Sequence, residues 1–332
     1  MRATVVVLWL ALSGCASIVE GASDVVTRTT PDSYAAAAAT IRLYDGRTIN
    51  LRCSGEGRPV VLLVAGGNTD SSTWFRVQPS IADATKVCAY DRAGYGFSTA
   101  GPLPRDLDAH VDELHALIGA ADIALPMVLV GHSLGSNIVR RFAQRYPPQL
   151  AGMVLVDPPE QGADAAMPES WQQQVAPMLA RRDALLDACE QAAAAKDVET
   201  IRGSCLRQAP PWVSARVAAA IEDYKSKPDY WRTVRSEFEH STKLLSQPVP
   251  ADESYGAIPL TLLRPVTQDA ELPDEVRAVL ESARMQTHGR ILAASTQRVL
   301  IEVSGTSHDI QLDRPDAVAA AVRRLVERLR AR

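Results

Sequence analysis

Nowhere in this 332-residue chain is there an apolar run of the about 20 residues that a bilayer-spanning helix needs. Charge of one sign is equally scarce: 35 Lys and Arg stand against 39 Asp and Glu, a formal net charge of −4. That balance offers no electrostatic case for a polyanion, and no nucleic-acid partner is expected. Internal repeats are missing, and low complexity goes no further than clusters of alanine. Cysteine is rare, at five residues: Cys15, Cys53, Cys88, Cys189 and Cys205. No Gly-Lys-Ser/Thr follows the glycine pair Gly66-Gly67, which argues against a phosphate cradle. What is abundant is apolar, at 46% hydrophobic against 22% charged residues, enough to bury a large core. The length suits one large α/β domain carrying an insertion.

The start departs from the globular pattern. Met1-Arg2 precedes an apolar run from Ala3 to Leu12, then the small residues Ser13 and Gly14 before Cys15. A positive start, a short apolar stretch and a small-residue exit suit an export signal. The tetrad Leu12-Ser13-Gly14-Cys15 resembles the lipobox of bacterial lipoproteins, which implies a signal peptide over 1–14, lipid on Cys15, and a membrane held through that anchor in the bacterial cell envelope. Ala16 is not the aspartate of inner-membrane retention, so the outer membrane is the favoured destination where one exists. The alternatives are an ordinary cleaved signal and an uncleaved anchor. Export would permit disulfides. Four further cysteines allow three pairings; Cys53–Cys88, in neighbouring strand candidates, and Cys189–Cys205, within one helical insertion, are the simplest, with free buried thiols as the alternative.

Residues 15–39 suit a tether, polar and alanine-rich over 22–39, and the catalytic domain is expected over 40–332. Short β-rich runs follow at Thr40–Tyr44, Thr48–Cys53, Val60–Val64, Val87–Tyr90, Met127–Val130, Met153–Val156, Leu260–Leu263 and Val299–Val303. Helical periodicities fall between them, as in Leu107, Val111, Leu114 and Ile118, or Val318, Val322, Leu325 and Leu329. Alternating strands and helices predict an α/β fold whose mostly parallel eight-stranded sheet is covered on both faces. Over 160–250 the alternation gives way to helix, chiefly Trp171–Ala195 and Val213–Leu245, which predicts a helical cap after strand six. It would roof the carboxyl ends of the strands, where open α/β sheets bind ligands.

The most specific motif is Gly131-His132-Ser133-Leu134-Gly135, between the apolar strand Pro126–Val130 and a helical pattern through Ile138, Val139 and Phe142. Strand, Gly-x-Ser-x-Gly and helix together describe a nucleophile elbow, in which glycines free the tight turn from Cβ clashes. Upstream lies Tyr90-Asp91-Arg92-Ala93-Gly94-Tyr95-Gly96-Phe97-Ser98. With this run the chain resembles the α/β-hydrolase superfamily from about Thr40 onward, the cap excepted.

That resemblance implies Ser133 as nucleophile and a histidine after the last strand as its base, which is His308 in Gly305-Thr306-Ser307-His308-Asp309. The other histidines are poorly placed: His110 and His115 on an early helix, His132 inside the elbow, His240 in the cap and His288 on a later helix. His110 and His115, with Glu113 between them, are five residues apart and do not share a helical face as a zinc pair would, so no metal is expected. The acid is Asp157, at the tip of strand six, or Asp269, after strand seven. Many members place the acid after strand seven, but a subgroup that the chain's tail resembles places it after strand six, which favours Asp157. Oxyanion donors would be the backbone N–H groups of Leu134 and of Gly67 in Val64-Ala65-Gly66-Gly67-Asn68, each worth about 3 kcal/mol. Asp91 and Arg92 are read as structural.

The reaction implied is attack by Ser133 on an ester-like carbonyl of a small molecule, then hydrolysis of the acyl-enzyme, without a metal or organic cofactor. Serine at the elbow argues against the aspartyl-ester chemistry of epoxide hydrolases and haloalkane dehalogenases. An amidase or peptidase with the same triad, and a non-catalytic binding lipoprotein, are the rival readings. Trp171, Trp212, Tyr224, Tyr230, Trp231 and Phe238 of the cap are candidates to line an acyl pocket, although their helical spacing favours packing. Oligomeric state has no signature.

Overall fold

The structure, a computed structural model, describes residues 29–266 and 272–331. Cys15 and Asp269 lie outside the described residues. Eight strands, β1 (Ala39–Arg42), β2 (Thr48–Ser54), β3 (Val61–Val64), β4 (Val87–Tyr90), β5 (Met127–His132), β6 (Leu150–Val156), β7 (Leu260–Pro265) and β8 (Arg298–Val303), form one sheet in the order β1-β2-β4-β3-β5-β6-β7-β8. Pairing is antiparallel between β1 and β2 and between β2 and β4, and parallel elsewhere, so β2 alone runs against the rest. This is the α/β-hydrolase fold. From β3 the chain steps to β4 on one side and later to β5 on the other. A crevice therefore opens beyond the carboxyl ends of β3 and β5.

The central strands lack polar alternation because both of their faces are covered. Leu62, Val64 and Leu129 pack on one face with Val111, Leu114, Ile138 and Phe142, from helices Leu107–Ala120 and Leu134–Arg145. Val61, Leu63, Val128 and Val130 pack on the other with Ile81, Val318, Val322 and Leu325, from helices Gln78–Ala82 and Pro315–Arg330.

Between β6 and β7 stand the helices Glu169–Ala195, Ala215–Lys225 and Pro228–Leu245. The single helical run expected over Val213–Leu245 is thus two helices. Pro228 cannot supply a backbone N–H and disfavours helical geometry at the residue before it; Lys227 is extended, at φ −96° and ψ 136°, and Pro228 opens the next helix. The end of the expected tether is also built into the fold, against both cap and body. Thr30 is buried and donates to Trp212 O through its N–H (2.8 Å) and its hydroxyl (3.2 Å), and Ala38 N donates to Asn50 Oδ1 at 2.7 Å. Cys53 and Cys88 are cross-strand partners of β2 and β4 and are disulfide-bonded; Cys189 and Cys205 form a second disulfide inside the cap.

Candidate active site

Ser133 sits where β5 ends and the helix Leu134–Arg145 begins, at φ 53° and ψ −122°, a conformation that costs a non-glycine residue of order 1–3 kcal/mol. Neighbouring backbone enforces it. A Cβ on Gly135 would lie 2.3 Å from Val64 O, and one on Gly131 would lie 2.3 Å from Gly135 O, so only glycines let helix and strands meet this closely. Ser136 Oγ donates to Gly131 O at 2.7 Å and Ser133 N to Val156 O at 3.0 Å, tying the elbow to β6.

Asp157 follows β6 directly, also at positive φ (43°), and its N–H donates to Leu263 O on β7 at 2.8 Å. His308, on the loop after β8, brings Nδ1 to 2.5 Å from Asp157 Oδ2. Three consecutive strand ends, β6, β7 and β8, thus fix the acid and its histidine relative to one another. His132 lies beneath: its ring centroid is 4.6 Å from that of His308, and its Nε2 lies 3.1 Å from His308 O. His288 Nε2 donates to Pro158 O at 2.8 Å and braces the acid's loop.

Burial lowers the His308 pKa well below the ordinary imidazole value; Asp309 opposes this and Arg284 adds to it. Burial, then the neighbouring His308, lower His132 to about 4. Both rings are neutral near pH 7. A neutral imidazole whose Nδ1 faces a carboxylate takes a proton on Nε2, and the carboxylate favours the imidazolium that results.

The turn after β3 faces the elbow. A Cβ on Gly67 would meet Leu134 Cβ at 3.9 Å, so the two residues named as oxyanion donors lie side by side. Thr69 Oγ1 donates to Gly66 O at 3.0 Å, and Arg92 Nη1 to Ala65 O at 2.8 Å. In a trans peptide the C=O and N–H point opposite ways, so each bond to a carbonyl also aims the next residue's N–H.

The structure therefore gathers Ser133, His308, Asp157, Leu134 and Gly67 at one end of the sheet. The other histidines are engaged elsewhere: His115 stacks on Tyr146, His110 lies 3.2 Å from Glu237, and His240 Nδ1 donates to Ser236 O. Glu113 holds Arg47 and Arg105. Among the described residues no group of three metal-ligating side chains is assembled. The cap aromatics are packing residues in this structure: Tyr224, Tyr230 and Trp231 belong to the cap's buried cluster, Phe238 packs against that cluster, Trp171 packs with Val175, Val276 and Leu280, and Trp212 stacks on Phe75.

The sequence reading missed the role of Arg92 in holding the turn, and it missed Glu237 altogether. Glu237 shares one buried face of its helix with Tyr230, Thr233 and Val234. A carboxylate on that otherwise packed stripe was the available signal.

A model of the alpha/beta hydrolase family matches residues 61–321. Among curated proteins, Bacillus subtilis (strain 168) YqjL is 36% identical over 104 residues, 31% of this chain and 41% of that protein. The Mus musculus (lyso)-N-acylphosphatidylethanolamine lipase is 25% identical over 189 residues, 54% of this chain and 50% of that enzyme. The chain thus spans at most half the length of these relatives. A thermophilic esterase from Thermogutta terrifontis shares the fold, with a TM-score of 0.58 and 18% identity over 89% of this chain and 99% of that one.

Proposed function

This chain belongs to the alpha/beta hydrolase family, and from that premise we propose that it is a serine hydrolase of small ester substrates, with Ser133 as nucleophile, His308 as base and Asp157 as the acid that orients it. The observation that carries this reading is the 2.5 Å contact between His308 Nδ1 and Asp157 Oδ2, on the strand ends beside the strained Ser133. His308 takes the Ser133 proton as Oγ attacks the carbonyl carbon, and Asp157 stabilises the imidazolium. The N–H groups of Leu134 and Gly67 receive the oxyanion. Collapse expels the alcohol, protonated by His308, and water activated by the same ring releases the acid. Similarity to a (lyso)-N-acylphosphatidylethanolamine lipase supports an ester over an amide.

The deciding experiment is intact mass after treatment with a fluorophosphonate. One adduct is expected, absent in Ser133→Ala and forming at least about 10³-fold more slowly in His308→Ala. No adduct on folded wild-type protein would sink the proposal and bring forward the binding-protein reading.

We propose further that Cys15 is lipidated and holds the protein in the bacterial envelope. Radiolabelled palmitate fed to expressing cells should label the wild type and leave Cys15→Ala unlabelled; equal labelling of both refutes the anchor.

A further inference from the structure

The cap reaches the oxyanion turn through a chain of buried polar contacts. Glu237, on the cap helix Pro228–Leu245, is 3% exposed and accepts from Arg92 Nε and Nη2, each at 3.2 Å. It also accepts from the Tyr95 hydroxyl at 2.5 Å. The remaining guanidinium nitrogen of Arg92 donates to Ala65 O at 2.8 Å, so the arginine is a rigid fork with the cap's carboxylate on one side and the turn's backbone on the other. Two turns earlier on the same helix, Tyr230 donates its hydroxyl to Asn68 Oδ1, and Tyr224, on the preceding cap helix Ala215–Lys225, donates to Asp70 Oδ2 at 2.9 Å. Every second or third residue of the segment Ala65–Asp70 is therefore held from the cap or through Arg92. Gly94 lets the helix come this close, since a Cβ there would lie 2.3 Å from Thr233 Oγ1.

We infer that the cap helix Pro228–Leu245 sets the oxyanion turn, with Glu237 and Tyr230 as positioning residues that act through Arg92 and Asn68. The inference rests on the serine-hydrolase reading above, in which Gly67 N–H is an oxyanion donor. Neither residue touches substrate. Glu237, through Arg92, holds the Ala65–Gly66 peptide and Tyr230 holds Asn68, so the Gly66–Gly67 peptide between them is flanked on both sides, and seating of the cap and assembly of the oxyanion site become one event. An elbow serine and its histidine, by contrast, are set by strand ends and do not need the cap.

The test compares Tyr230→Phe and Glu237→Gln with wild type on p-nitrophenyl acetate and on the corresponding thionoester, whose sulfur is a poorer acceptor for oxyanion donors. Displaced donors should lower kcat on the oxo ester about 10-fold at unchanged KM, and the oxo-to-thiono ratio of kcat/KM should fall by the same factor. Lys243→Ala, on the exposed face of the same helix, should match wild type in both. A ratio unchanged in Tyr230→Phe overturns the inference even if the rate drops, because partial loss of folded protein slows both esters equally. Tyr230→Phe keeps the ring and its packing and decides the matter if Glu237→Gln does not fold. Wild type that fails to form the fluorophosphonate adduct marks failure of the serine-hydrolase reading instead.

Discussion

In the body, the functional groups are held by an apolar sandwich. Strands β5 and β6 are buried almost throughout, and the residues that leave their tips, Ser133 and Asp157, both stand at positive φ. At the joint between cap and body, apolar contacts such as Trp212 on Phe75 are joined by buried charged and hydroxylic ones: Arg92 and Glu237, Arg105 N on Ser236 Oγ, Tyr224 on Asp70. Burial alone would raise the Glu237 carboxyl, but the Arg92 charge and hydrogen bonds from His110 and Tyr95 outweigh it and hold it well below the usual carboxylate range. Apolar packing fixes where a strand ends and tolerates exchange of like for like. A buried ion pair is directional, and removing one partner leaves the other charge stranded. The body thus positions its strand ends by shape, and the cap adds directional polar contacts to its apolar packing.

The largest effect should come from the body. Asp157→Asn keeps the shape but lets His308 adopt the wrong tautomer, and should lower kcat about 10⁴-fold with the protein folded; Asp269→Asn should stay within about threefold. Steady-state kinetics on the two variants check this, and a loss confined to Asp269→Asn would move the acid to strand seven. At the joint, Glu237→Ala strands Arg92 and should cost about 3–5 kcal/mol in urea unfolding, whereas Arg141→Ala, which breaks an exposed pair with Asp108, should cost less than about 1 kcal/mol. Equal costs for the two would erase the distinction drawn here.

The two disulfides sharpen it further. Replacing Cys53 and Cys88 opens a loop of 35 residues in the body, and replacing Cys189 and Cys205 opens one of 16 in the cap. Loop closure predicts losses of about 4 and about 3 kcal/mol. Only the cap variant should also lower the oxo-to-thiono ratio.

Acid should act on both regions. His110, His132, His288 and His308 all have pKa values lowered by burial, so the unfolded chain binds more protons than the native one as pH drops below about 6.5. Stability contributed by these neutral rings is present above that pH and lost progressively below it, and Tm should fall between pH 6.5 and 4. Activity needs neutral His308, so the acid limb of kcat/KM should lie below pH 6.5. A limb above 6.5 would mean that the Asp157 carboxylate outweighs burial.

How far the sequence could be read follows the same division. The strands were legible because doubly buried β-runs are continuous and apolar, and the elbow because Gly131 and Gly135 are demanded by backbone approach within a few residues. His308 could be named because the fold puts its base after the last strand. The choice between Asp157 and Asp269 could not be made from spacing, since both keep the order Ser, Asp, His. The break at Pro228 was written in the chain and overlooked within an apolar helical pattern, and the tether's last residues looked polar although Thr30 is buried.

Local chemistry and periodicity by themselves determined the parallel sheet and the helical insertion, because each depends on neighbours close in sequence or on strand order; the elbow motif and the family resemblance it carries pointed to Ser133 and His308. Only the tertiary structure decided that Asp157 meets His308 across 151 residues and that Glu237 meets Arg92 across 145. A charge carries no mark of its partner in the chain; its partner is whichever group the packing brings within about 3 Å once both have left water.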